Sequence, residues 1–264
     1  MGTLVLFHAH PDDESIQTGG TAARAAAEGH RVVLVIATGG EYGEVPDDLP
    51  AGATLAERRR VEAERSAALL GVQRLAWLGY EDSGMTGWQQ NAHDGAFVNA
   101  PLDEAAGRLA AILREEAADV LTTYDWHGGY GHPDHIQVHK VGHRAAELAG
   151  TARVYEATMN RDEIKRFMDM ARENGAPEGD VFDPDGPMDD GNPMGTPEAD
   201  ITTKVDVTDY VAVKRASIRA HASQITDTGF FSSMPDEQFA QAFGTEWFIR
   251  KGAPAGIAEG WLFP

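Results

Sequence analysis

The chain has 264 residues, 42 of them acidic and 22 basic, for a formal net charge of -20, and it contains no cysteine. That charge repels phosphate backbones and anionic membrane surfaces, so neither nucleic acid nor membrane is expected as a partner. The missing cysteines exclude disulfides, thiolate metal sites and cysteine nucleophiles, which leaves any metal to His, Asp or Glu.

In chain order, Met1 to His8 is a short apolar stretch without a basic leader, read as a buried strand over Leu4 to Phe7 rather than a signal peptide, with cytoplasmic location as the expectation. Gly20 to Glu28, alanine-rich and stopped by Gly29, reads as a helix, and Arg31 to Ala37 as the second strand. Leu55 to Leu70 is helical and ends at Gly71; the basic run Arg58, Arg59, Arg60 within it fits a solvated face. Arg74 to Leu78 reads as strand, Leu102 to Ala117 as helix, Val120 to Tyr124 as strand, Val138 to Leu148 as helix and Arg153 to Thr158 as a fifth strand. Asp183 to Pro197, rich in Gly, Pro and Asp, is expected to leave the core as a loop or lid. A helix over Val211 to Ser223 and a less regular tail holding Trp247 and Trp261 complete the reading. Strands alternating with helices predict an α/β fold, a Rossmann-like three-layer sandwich with a mainly parallel sheet. One domain over 1–264 is expected, with a core over 1–158 and a variable substrate-side region over 159–264.

Two polar clusters follow predicted strands, and in parallel sheets functional groups gather at the carboxyl ends of strands. The first is His8-Ala9-His10-Pro11-Asp12-Asp13-Glu14. His10 and Asp13, three apart, can face one ion if a turn begins at Pro11; Asp12 then points elsewhere, as a carboxylate that could take a proton from water. The second is His127-Gly128-Gly129-Tyr130-Gly131-His132-Pro133-Asp134-His135. One histidine of the His132/His135 pair would complete a three-ligand metal site, leaving the other as acid or oxyanion donor. His139 and His143, a helical turn apart, read as outlying or surface groups.

These two motifs, HAHPDDE and GYGHPDH, resemble those of the LmbE-like, or PIG-L, zinc deacetylases of N-acetylglucosamine derivatives, over about the first 160 residues. The longer second motif is similar to that of the actinobacterial branch that makes or cleaves mycothiol. The resemblance implies an LmbE-like fold with Zn2+ as cofactor, Fe2+ being the alternative for such a ligand set. It implies His10, Asp13 and His135 as ligands, Asp12 as general base, His132 at the leaving group or oxyanion, Tyr130 as an oxyanion aid, and Asp134 as the group that orients His132. It places Asp82, in Glu81-Asp82-Ser83-Gly84-Met85, at sugar hydroxyls and Arg59 at another polar substrate group. Glu44 lies in a loop after the second strand as a pocket residue. Gln224, in His221-Ala222-Ser223-Gln224, is similar to a segment near the site in mycothiol-branch members.

The function so implied is hydrolysis of the N-acetyl amide of a small amino-sugar, giving amine and acetate, by an enzyme that could form a homo-oligomer. Two readings compete: a mycothiol-S-conjugate-type amidase that cuts a larger acyl group, and a metal-dependent sugar-binding protein without catalysis. Binding alone needs no base, so Asp12 favours an enzyme. Nucleotide binding is weaker, since no Gly-x-Gly-x-x-Gly opens a helix and no Walker lysine is present.

Overall fold

Five of the six residues of β1 (Thr3–His8) are buried, and seven of the eight of β2 (Arg31–Thr38). Runs this continuously apolar belong in the middle of a sheet covered on both faces. The computed structural model describes residues 1–173, 182–188, 190–225 and 234–264. With β3 (Arg74–Tyr80), β4 (Val120–Tyr124), β5 (Arg153–Thr158), β6 (Thr203–Asp206) and β7 (Thr245–Arg250) they form a seven-stranded sheet of order β3-β2-β1-β4-β5-β7-β6. The first five strands are parallel; β7 runs antiparallel to both β5 and β6.

Chain order reverses between β1 and β4. Right-handed crossovers leaving β1 in opposite directions must put their helices on opposite faces. Accordingly α4 (Leu102–Glu115) packs on α5 (Pro133–Ala149), while α1 (Asp13–Gln17), α2 (Gly19–Ala27) and α3 (Leu55–Leu69) pack with α7 (Val211–Ala220). The crevice at such a reversal is where doubly wound sheets bind ligands. Both polar motifs leave strands that flank it.

Several boundaries differ from the sequence reading. Helix α5 begins at Pro133, not Val138, because His132 caps it: the His132 ring accepts the Asp134 N–H, and proline suits the first helical position. His135 therefore sits on a helix. The tail is more regular than expected, with α6 (Arg161–Glu173), α8 (Asp236–Phe243) and the antiparallel β6 and β7, while α7 stops at Ala220 rather than Ser223. The described part of Asp183–Pro197 lies against the second motif: Gly195 N–H donates to Gly129 O at 2.7 Å, and Asp190 faces His127 at 3.4 Å. Among the described residues no helix is long and apolar enough to cross a membrane.

One buried ion pair ties the late strands to the early helices. Glu246 on β7 accepts from Lys214 Nζ on α7 at 2.7 Å and from the Gly20 and Thr21 N–H groups at 2.8 Å each, so one carboxylate satisfies both an ammonium and the open amino end of α2. Lys214→Met is expected to cost roughly 3 kcal/mol, because it leaves the Glu246 charge buried without its cation. Denaturant unfolding measures it; an unchanged midpoint would show that the α2 N–H groups suffice.

Candidate metal centre

At the end of β1 the chain turns sharply into α1, and Asp12 takes the turn with φ of 115°, a positive value unusual for a side chain other than glycine. The turn sends successive carboxylates in different directions. Asp13 accepts the His10 N–H at 2.9 Å and faces two imidazoles, with Oδ2 3.4 Å from His10 Nδ1 and Oδ1 3.4 Å from His135 Nε2. Asp12 faces away, its Oδ2 3.1 Å from Arg59 Nη2.

From the other side of the crevice, the loop after β4 and the first turn of α5 supply His132 and His135. A Cβ on Gly128 would overlap His135, and the backbone there has φ of 69°, so glycine is required for the imidazole to enter. The rings of His10, His132 and His135 have centroids 4.7 to 5.4 Å apart, and one nitrogen of each lies within 4.8 Å of the others. The Tyr130 ring stands 5.0 Å from that of His135.

The donor chemistry fits a metal ion. His135 donates Nδ1–H to Gly128 O at 3.1 Å, which leaves the lone pair on Nε2. That Nε2 is buried and has no hydrogen-bond partner. A buried acceptor without a partner is costly, and an ion beside the Asp13 carboxylate would satisfy it. One donor atom from each of His10, His132 and His135 lies within 4.8 Å of the other two, as does one from each of His10, Asp82 and Asp134, while Asp13 turns one oxygen to His10 and the other to His135.

Charge distinguishes Asp12 and His132 from their neighbours. Burial raises Asp12, with Arg59 pulling the other way, which suits a group that must accept a proton. Burial and the adjacent His10 and His135 push His132 down to about 2, so its ring is neutral. Because His132 Nδ1 accepts the Asp134 N–H, the ring proton is on Nε2.

Other expected residues fall near the centre with duties of their own. The Asp134 carboxylate meets Ser83 N–H at 2.9 Å and His10 Nε2 at 3.2 Å; it is the Asp134 backbone, not the carboxylate, that contacts His132. Asp82 lies 3.5 Å from His10 and accepts the Tyr42 and Gly84 N–H groups. Arg59 is 4 % exposed, its guanidinium engaged by Gly40 O, Pro11 O and Asp12. Gln224 and Glu44 join the two loops through Glu44 N–H to Gln224 Oε1 at 3.0 Å and Gln224 Nε2 to Glu44 O at 2.8 Å.

Sequence reasoning missed the support beneath Asp12. Glu14 accepts the Asp12 N–H at 3.0 Å, and its other oxygen meets His221 Nε2 at 2.7 Å and Ser66 Oγ. His8, likewise buried, is held between Tyr124 and Thr18. Glu14 closes the first motif, and that was the available signal; nothing in the spacing linked it to a histidine 207 positions away.

Comparison with known proteins agrees with these motifs. The PIG-L family pattern, described as GlcNAc-PI de-N-acetylase, matches residues 5–146. A 1D-myo-inositol 2-acetamido-2-deoxy-alpha-D-glucopyranoside deacetylase from Streptomyces avermitilis is 45% identical over 271 residues, covering 93% of this chain and 90% of that protein. One of the same name from a Nocardioides species is 41% identical over 284 residues, covering 94% and 92%. Among solved structures, an N,N'-diacetylchitobiose deacetylase from Pyrococcus horikoshii superposes with a TM-score of 0.59 at 25% identity, covering 94% of this chain and 83% of that one.

Proposed function

From the premise that the chain belongs to the PIG-L family, we propose that it is a metal-dependent N-deacetylase of an N-acetylglucosaminide, releasing amine and acetate. Its relatives' names make an N-acetylglucosamine joined to inositol the first substrate to test. The observation that carries the reading is the convergence of His10, Asp13 and the partnerless His135 Nε2 beside a separate carboxylate, Asp12.

We assign His10, Asp13 and His135 to the metal, zinc in our reading and iron as the alternative. Such an ion polarises an amide carbonyl and lowers the pKa of a bound water, so that a nucleophile exists at neutral pH. Asp12 accepts the proton of the attacking water and returns it to the departing nitrogen, which closes the proton balance of amide hydrolysis. His132 enters neutral, with its proton on Nε2, so its task is to donate to the carbonyl oxygen as negative charge develops there. Tyr130, on the same loop, is placed in this reading as a second donor. Asp134 orients His10 rather than His132, and Asp82, Glu44 and Gln224 shape the sugar side of the crevice.

Arg59 touches the Asp12 carboxylate and the carbonyl of the preceding Pro11, so its proposed duty is to position the base. Arg59→Lys is expected to lower kcat about tenfold or more with little change in KM, since the shorter ammonium lacks the second nitrogen that anchors the guanidinium on Gly40 O while Nη2 holds Pro11 O and Asp12. A raised KM with unchanged kcat would instead put Arg59 against the sugar. Amine and acetate released in equal amounts from the inositol glycoside, compared with free N-acetylglucosamine, diacetylchitobiose and a cysteinylated amine, test the activity and rank its substrates. Release from the cysteinylated amine alone would favour the larger-acyl amidase.

A further inference from the structure

On the far side of α5's first turns, a second set of ligating side chains meets. His139 and His143 stand one helical turn apart with ring centroids 4.5 Å apart, and Glu156 on the neighbouring β5 faces them. One donor atom from each of the three lies within 4.8 Å of the other two. We propose that His139, His143 and Glu156 form a second metal site, one that takes a divalent ion of the zinc, cobalt or nickel class.

Four observations favour this over an ordinary hydrogen-bonded pair. His143 Nε2 and Glu156 Oε1 are 2.7 Å apart and share a proton, which alone would make a surface His–Glu contact. That pair does not require a second imidazole at its side, yet His139 is held there, its Nδ1–H donated to Tyr124 O at 3.0 Å. This contact puts the ring proton on Nδ1, the nitrogen 3.9 Å from Glu156 Oε1, leaves the lone pair on Nε2, and is the backbone support that metal-bound imidazoles usually have. Burial lowers His139 from its ordinary value, so it is neutral and able to ligate. The side chains are 22%, 17% and 15% exposed for His139, His143 and Glu156, so an ion can enter without local unfolding.

The class of ion follows from the donors. Two imidazoles and one carboxylate suit zinc and its neighbours, whereas calcium and magnesium need more oxygens than Glu156 brings. Binding displaces the proton shared by His143 and Glu156, so uptake releases a proton and weakens at acid pH. His139 lies one turn beyond His135 on the same helix, so an ion here pins the element that carries a proposed ligand of the first centre.

The test is a zinc count on tag-free protein stripped by chelator and dialysed against excess zinc, with wild type beside His143→Asn and Glu156→Gln. Both variants are expected to hold one zinc fewer per chain than wild type, with an unchanged far-ultraviolet dichroism spectrum. That difference of one does not depend on the first centre: if His10, Asp13 and His135 bound nothing, wild type would hold one and the variants none. Equal zinc in all three proteins overturns the second site. Should the variants misfold, the wild type decides alone, since zinc must then shift the side-chain nitrogen resonances of both His139 and His143. Resonances unmoved at saturation would likewise overturn it.

Discussion

Asp12→Asn is expected to lower kcat by about 10²- to 10⁴-fold, the range for loss of a general base, while the protein keeps its full metal content. The substitution preserves shape at a position where shape matters, because Asp12 turns the chain with φ of 115° and its N–H is held by Glu14. What it removes is the ability to accept a proton. Asp12 also stands apart from the histidine cluster, with its carboxylate toward Arg59. Parallel measurement of turnover and metal per chain checks this. Metal lost along with activity would make Asp12 a ligand and undo the division between Asp12 and Asp13.

His132→Ala and His135→Ala are expected to part company, although the two residues lie three apart on one turn. His135→Ala should lose metal affinity by more than about 100-fold, beyond the 10- to 100-fold typical of groups that merely support a ligand, and turnover should fall with it. His132→Ala should retain metal and lose about 10²- to 10³-fold in kcat, as for a deleted oxyanion donor. The structure gives each expectation its basis: His135 Nε2 is buried without a partner, whereas the capping contact of His132 leaves it a proton to donate. Equal loss of metal in both variants would favour the alternative set of three histidines.

Much of this arrangement is legible in the sequence because the central strands are parallel. Leu4 to Phe7 is an uninterrupted apolar run and Val120 to Tyr124 a β-prone one that is buried throughout, and each delivers a polar motif to the same end of the sheet. The start of α5 is less legible, since His132 and Pro133 read equally well as loop ligands or as a helix cap; only the Asp134 N–H contact separates the two. Strand β7 hides its character in Glu246, a charge acceptable in a buried strand only because Lys214 and the amino end of α2 meet it from remote parts of the chain. Arg59 presents the same problem. On a helix rich in charge it resembles its solvated neighbours Arg58 and Arg60, and nothing local says that it turns inward to Pro11 and Asp12. Contacts of this kind depend on tertiary placement, to which hydrophobic period and motif spacing are blind.

The central claim is that a metal held by His10, Asp13 and His135 makes this chain an N-deacetylase. Its most direct test is amine release from the N-acetylglucosaminyl-inositol substrate by protein stripped of metal and then given one equivalent of zinc or of iron(II). The account predicts no release from the stripped protein and restored release on addition of a metal, with His135→Ala unresponsive at the same concentration. Full release by protein verified to be metal-free, or restoration in His135→Ala equal to wild type, would contradict it.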